Sequence, residues 1–183
     1  MAPSQQIEEI KTVVETIFRT REKLARLSKV HTLTEPGGPA SEAAIRKVEA
    51  ELGRPLPPDY RTFLSLHDGW PGFVGDNDIL STSQLLGGKM RERVAQIKAQ
   101  MKSEEDHRAA HGFIIVASLF NWHVVYFDVD KKRNNGGLDV VFWDHGPEER
   151  FRSFLAYLKD KIKTFEGRVT DEQSKLRISR KKK

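Results

Sequence analysis

The sequence predicts an α+β fold in which an antiparallel sheet packs against helices, with one extra helix at the N-terminus. Helical periodicity dominates up to about residue 110. Segments rich in β-branched and aromatic residues then cluster between 113 and 143, and one more helical pattern follows. Because the strands follow one another instead of alternating with helices, the order favours α+β over a parallel α/β sheet.

Length and composition narrow the function classes. The 183 residues suffice for one hydrophobic core, and the chain contains no Cys. Disulfides, thiolate nucleophiles and Cys-ligated metals are therefore excluded, and a reducing compartment such as the cytoplasm is expected. No signal-peptide pattern and no run of about 18 apolar residues is visible, so membrane insertion is not expected.

The net charge of +5 is concentrated at the C-terminus. Residues 168–183 carry seven Lys and Arg against Asp171 and Glu172, so the rest of the chain is neutral overall. We expect 167–183 to be a disordered basic tail that is dispensable for folding. Since the neutral body lacks a broad positive surface, direct nucleic-acid binding is expected only weakly, through this tail.

An N-terminal helix over about 5–29 is the first predicted element. Arg21 interrupts its apolar face, which consists of Ile7, Ile10, Val14, Ile17, Leu24 and Leu27. The two prolines and Gly37-Gly38 of the segment that follows are typical of a connector. Residues 1–40 are therefore assigned to this helix and connector, and 41–166 to the main domain.

Two short helices are predicted to meet at a proline corner. Ser41 is suited to cap the first helix and Gly53 to end it, while Pro58 begins the second, which ends at Asp68-Gly69. The recurring apolar positions are Ile45, Val48 and Leu52, followed by Tyr60, Phe63 and Leu64. Residues 70–78 read as a Gly-, Pro- and Asp-rich loop before a short strand or turn, and 88–110 as one amphipathic surface helix.

Three strands are predicted at 113–118, 123–130 and 138–143. The segment 131–137 contains Asn-Gly and Gly-Gly, which tolerate the positive φ of a hairpin turn, so the second and third strands should pair antiparallel. A long helix is expected to begin near Pro147, with a face formed by Phe151, Phe154, Leu155, Leu158, Ile162 and Phe165.

Catalytic and metal-binding patterns are weak. His107 and His111 have the spacing of a helical metal pair, but no Glu lies between them and no third ligand is marked. The run 128–132 begins like a calcium loop and then places Lys132 where an oxygen ligand belongs. No nucleophile-elbow, phosphate-loop or dinucleotide motif occurs. We therefore expect no enzymatic activity, no cofactor and no metal.

The proline corner resembles the opening signature of the SUKH superfamily, which groups bacterial toxin-immunity proteins with fungal cell-wall regulators. The matching residues are Ile45, Glu49, Leu52-Gly53, Leu56-Pro57, Asp59-Tyr60, Phe63-Leu64 and Asp68-Gly69. The aromatic-rich hairpin and the helix after it are similar to the closing part of the family, so the resemblance covers about 41–165. It implies a non-catalytic domain that neutralises a cognate protein toxin, possibly a nuclease. A regulatory or scaffold interaction domain is the alternative.

Period-two alternation gives the predicted hairpin an apolar face and a mixed face. The mixed face, called the reverse face below, carries Val124, Tyr126, Asp128, Asp139, Val141 and Trp143. Tyr126, Asp128, Asp139 and Trp143 are the predicted partner contacts, because aromatic anchors and carboxylates suit a basic nuclease. The alternative is that a second layer, such as the N-terminal helix, covers this face. Further candidate contacts are Trp70, Phe73 and Trp122, which are either offered to a partner or tucked inward.

Overall fold

A computed structural model describes residues 3–133, 136–145 and 149–181. The helices are α1 (Pro3–Leu27), α2 (Glu42–Leu52), α3 (Pro58–Leu66), α4 (Thr82–Leu86), α5 (Gly88–Ser103), α6 (His107–His111) and α7 (Phe154–Lys181). The strands are β1 (Trp70–Val74), β2 (Asn77–Ile79), β3 (Phe113–Ala117), β4 (Val124–Lys132), β5 (Leu138–Trp143) and β6 (Glu149–Phe151). These strands form one antiparallel sheet in chain order, which confirms the predicted α+β class.

The extra N-terminal helix is confirmed, and it packs along α7. The two helices run in the same direction, because Lys159 pairs with Glu9 near their starts (2.5 Å) and Arg21 lies over Phe165 further along. The structure differs from the predicted boundary at 167. Helix α7 continues through the basic segment, and Val169 is still buried in the core. Gly167 does not end the helix, since the apolar face that packs inward extends beyond it to Val169.

The proline corner forms as predicted and ties three helices together. The side chain of Ser41 accepts a hydrogen bond from the Ala44 amide, and Gly53 ends α2 in the left-handed region at φ 71°. Asp59, in the first turn of α3, accepts a hydrogen bond from the Leu155 amide at the start of α7 (2.8 Å). Burial raises the pKa of Asp59, and that backbone donor opposes the rise.

The predicted loop at 70–78 is instead a β-hairpin formed by β1 and β2. Strand β1 contains Pro71 and Gly72, which favour a loop, so the sequence pattern did not predict a strand there. Because β1 lies at the edge of the sheet, the missing amide hydrogen of Pro71 is tolerated. Gly69 is required just before it. Its φ is 82°, and a Cβ atom there would lie 2.7 Å from the backbone nitrogen of Ser81.

The antiparallel pairing of β4 with β5 is confirmed, with Phe127 opposite Val140. Gly136 has the positive φ expected of the turn, while residues 134–135 lie outside the described residues. The final helix begins later than predicted. Pro147 is outside the described residues, 149–151 form β6, and α7 starts at Phe154. The three-residue strand buries Phe151, whose apolar side chain the sequence pattern had assigned to the helix.

Two apolar layers enclose the sheet. The main core lies between one face and α1, α2, α3 and α7, and it receives Val125, Phe127, Leu138 and Val140 of the hairpin. The reverse face packs against α5 and α6, in a cluster that contains Met90, Ile97, Met101, Ala109, Ala110, Tyr126, Val141 and Trp143. A second layer therefore covers this face, but α5 and α6 supply it instead of the N-terminal helix. The single helix predicted at 88–110 breaks near Glu105, whose φ is 62°.

Candidate functional site

The aromatic residues predicted as partner contacts on the reverse face are buried inside the protein. Tyr126 is 0% and Trp143 2% exposed. Nε1 of Trp143 donates a hydrogen bond to Asp106 Oδ2 (3.0 Å), and a Cβ atom at Gly112 would lie 2.1 Å from the Tyr126 ring. Of the two alternatives for this face, the structure therefore shows the covered one, because α5 and α6 occupy the space.

The two carboxylates of the reverse face have internal partners. Asp128 Oδ2 accepts hydrogen bonds from Arg108 (2.5 Å) and Arg150 (2.9 Å). Burial alone would raise the pKa of Asp128, but the hydrogen bonds and charges of the two arginines outweigh it and lower the pKa. Asp139 is likewise buried and pairs with Arg133. These groups fasten β4 and β5 to their surroundings and do not form an acidic outer surface.

The three remaining candidates differ in exposure. Trp70 and Phe73 are fully buried, and Nε1 of Trp70 donates a hydrogen bond to the Thr34 carbonyl (3.1 Å). They are tucked inward, which was the alternative to contacting a partner. Trp122 is half-buried, and the guanidinium of Arg93 lies 4.0 Å from the centre of its ring. Of the seven predicted contacts, Trp122 alone is partly exposed.

An exposed apolar pair lies in the loop 118–123, between β3 and β4. Phe120 is 81% exposed and Leu119 43% exposed. The loop is braced by its own side chains, since Ser118 Oγ accepts a hydrogen bond from the Phe120 amide and Asn121 Oδ1 accepts one from the His123 amide (both 3.0 Å). The loop therefore holds a large aromatic side chain in solvent on a braced backbone.

The loop 118–123 adjoins two other segments, the β1–β2 turn at 75–76 and the connector 28–34. We call this region the loop end. A cavity of about 390 Å³ lies between them and α7, and Val30, which is 85% exposed, lines it together with Phe120. The remaining lining residues are Arg21, Leu24, His31, Thr32, Thr34, Gly72, Phe73, Gly75, Asp76, Asp78, Phe165 and Arg168.

Sequence reasoning missed the loop end. The signal was an apolar pair, Leu119-Phe120, placed between two strands and followed by Asn121, a residue that favours turns. Such a pair belongs either to the end of a strand or to an exposed loop, and the alternation of apolar and polar residues does not distinguish the two. The pairing of Asp78 with Ala117 decides it, because β3 ends there.

The structure brings no metal ligands together within the ranges that it describes. No group of three or more His, Asp or Glu side chains there is arranged to hold an ion. His107 and His111 lie exposed at the two ends of α6. No described helix is long and apolar enough to cross a membrane.

Comparison with known proteins gives one clear result. A family model described as the SMI1 / KNR4 family (SUKH-1) matches residues 39–160, which is well over half of the chain. The chain matches no curated protein at a significant level. The matched range runs from just before the cap of α2 into α7, and so contains the proline corner, the whole sheet and the loop 118–123. It leaves out α1, most of the connector and the part of α7 that follows residue 160. The chain therefore belongs to the SMI1/KNR4 (SUKH-1) family.

Proposed function

We propose that this protein is an immunity protein, which binds a cognate protein toxin and neutralises it without catalysis. The family supports this proposal because the SUKH superfamily includes toxin-immunity proteins and its members are generally non-catalytic. The absence of Cys and of any described membrane-crossing helix is compatible with action in the cytoplasm. The observation that carries the proposal is the exposed Phe120 on its braced loop.

The loop end has the physical properties of a binding surface. Covering a fully exposed Phe side chain contributes about 1.5–3 kcal/mol. Aromatic residues also dominate the energetically important centres of protein interfaces. Because hydrogen bonds within the loop already order its backbone, little conformational entropy remains to be lost on association. Val30 and Leu119 extend the apolar area around Phe120, and Asp76 adds an exposed charge beside it.

A regulatory interaction domain is the second candidate function. It is favoured by the basic end of α7, where Lys175 and Arg177 are exposed on a helix that extends beyond the matched family range. Such a helix is suited to an anionic surface on a larger assembly. The two candidates differ in outcome, since an immunity protein protects cells from a toxin and a scaffold does not.

The test uses the product of the gene next to the one that encodes this chain as the candidate toxin. Co-expression with the parent protein should restore growth that the toxin arrests. Phe120→Ser should weaken binding by about 2 kcal/mol, roughly thirtyfold, and reduce protection. The matched control is Ile178→Ser, which alters another exposed apolar residue ten positions beyond Arg168, about 15 Å further along α7.

The interpretation of this experiment depends on both variants. If a folded Phe120→Ser protein bound the toxin with unchanged affinity and protected cells fully, the loop end would not be part of the interface. Failure of the parent to protect or to bind would contradict the immunity function for that toxin. Equal weakening by Ile178→Ser would show that the effect is not specific to the loop end.

A further inference from the structure

A buried arginine with an unused donor lies at the loop-end cavity. Arg21 of α1 is only 6% exposed. Its Nη2 donates hydrogen bonds to the Gly72 carbonyl (2.7 Å), Thr34 Oγ1 (3.0 Å) and the Thr32 carbonyl (3.3 Å). Its Nη1 is also buried, and it has no hydrogen-bond partner among the described residues. Nη2 of Arg21 therefore donates hydrogen bonds to three acceptors, whereas Nη1 donates none to the described residues.

The charge of Arg21 is not neutralised by its surroundings. Burial lowers the pKa of Arg21 to about 10, so the group remains protonated at neutral pH. Carbonyl and hydroxyl oxygens satisfy N–H groups, but they carry no full negative charge. The rings of Trp70 and Phe165 lie 5.2 and 5.8 Å from the guanidinium carbon, which compensates the charge only in part. No carboxylate of the described residues forms an ion pair with Arg21, so the position favours an added anion.

A second guanidinium faces the same cavity. Arg168 of α7 lines it, and its guanidinium carbon also lies 5.8 Å from the centre of the Phe165 ring. Two cationic groups thus share one aromatic ring. Paired guanidinium groups are suited to oxyanions, since their N–H donors match the spacing of carboxylate or phosphate oxygens.

The remaining lining residues restrict the class of anion. Asp78 faces the cavity, but its oxygens already accept hydrogen bonds from the Gly72 amide (2.7 Å) and Gln84 Nε2 (2.9 Å). Asp76 lies exposed at the rim, and His31 also lines the wall. The two carboxylates repel a doubly charged phosphate more strongly than a singly charged carboxylate. Apolar walls, formed by Leu24, Val30, Phe73, Phe120 and Phe165, favour a ligand with an apolar body.

We infer that this cavity binds a small organic monocarboxylate with an apolar body, held by Nη1 of Arg21 and by the guanidinium of Arg168. The volume of about 390 Å³ falls in the range of small-molecule sites. Because Nη1 is shielded from water, its contact with the ligand requires a small movement of the groups that cover it. Both arginines lie outside the matched family range of 39–160. The two groups that would hold the anion therefore come from segments outside that range, and the site goes beyond the proposed toxin binding.

Calorimetric titration of the full chain with phenylacetate at neutral pH tests this inference. Phenylacetamide has the same shape without the charge, and inorganic phosphate has charge without the apolar body. We expect saturable binding of phenylacetate that is at least about tenfold tighter than binding of either comparison compound. Arg168→Gln should weaken phenylacetate binding about tenfold, and Arg21→Met should abolish it.

The control substitution is Arg177→Gln, which removes another exposed arginine of α7 and should leave binding unchanged. Thermal unfolding checks that Arg21→Met folds, and Arg168→Gln carries the test if it does not. Absence of phenylacetate binding to the parent overturns the inference. So does equal binding of phenylacetamide, tighter binding of phosphate, or undiminished binding by Arg168→Gln. The titration contains no partner protein, so a negative result leaves the proposed toxin binding unaffected.

Discussion

The two faces of the β4–β5 hairpin are both buried, but their chemistry differs. The face toward the main core is apolar along both strands. The reverse face mixes aromatic residues with Asp128 and Asp139, and each of these carboxylates is paired with arginine inside the same protein. A mixed face is typical of an interface, and here that interface is internal. Alternation therefore identifies a covered face but does not identify what covers it.

Neighbouring residues of β4 provide the strongest test of this comparison. Phe127 points into the main core and Tyr126 into the layer beneath α5 and α6, and both are fully buried. We expect Phe127→Ala and Tyr126→Ala each to lower the free energy of unfolding by about 3–5 kcal/mol in urea titrations. A loss below about 0.5 kcal/mol for Tyr126→Ala would mean that the reverse face is open.

A milder substitution covers the case in which these large truncations prevent folding. Ile97 of α5 is fully buried against the reverse face. Ile97→Val should lower the free energy of unfolding by about 0.5–1.5 kcal/mol, measured in the same way. No change would contradict close packing of α5 on the sheet.

The main core extends further along α7 than the sequence predicted. Truncation of α7 measures how much this extension contributes to the free energy of unfolding. Removal of residues after Gly167 deletes Val169, which is buried. We therefore expect a loss of about 2 kcal/mol, instead of the nearly unchanged stability expected from composition. Truncation after Ser174 removes residues 175–179, which are exposed, and the basic residues 180–183, so it should leave the midpoint of thermal unfolding unchanged. Equal stability of both truncated proteins would mean that the residues after Gly167 do not stabilise the fold, as the sequence predicted.

A further expected effect concerns the pH response of the reverse face. The pKa of Asp128 in the folded protein is lowered, so its ion pairs stabilise the fold above the unfolded-state pKa of about 3.9. That stabilisation is lost as the pH falls through the folded-state pKa. Asp128→Asn should therefore reduce stability at pH 7 by about 1–2 kcal/mol and lose less than the parent on acidification.

The control for this pH experiment is Asp130→Asn, two residues further along β4. Asp130 is exposed, and the distance from its Oδ2 to Nδ1 of His111 is 3.9 Å. Urea titrations of the parent and both variants across the acidic range provide the measurement. If Asp128→Asn and the parent lost stability in parallel, the arginine pairs would not stabilise the fold.

Particular residues explain what could be predicted from the sequence. Ser41, Gly53 and Pro58 mark helix ends through local hydrogen bonding and backbone geometry, so α2 and α3 were predictable. Strand β1 was not, because its pairing with β2 outweighs the local preference of Pro71 and Gly72 for a loop. The loop end depends on which segments meet in space, and no short-range pattern encodes that. Arg21 was visible as an interruption of an apolar face, but its burial follows only from the packing of α1 on α7.

We propose that the partner binds at the loop end and not on the covered reverse face. Amide hydrogen exchange, compared between the free protein and its complex with the cognate toxin, checks this claim. We predict slower exchange in the loop 118–123 and the connector 28–34 on binding, with little change in β4. Protection confined to α5, α6 or β4, with the loop 118–123 unaffected, would contradict the claim.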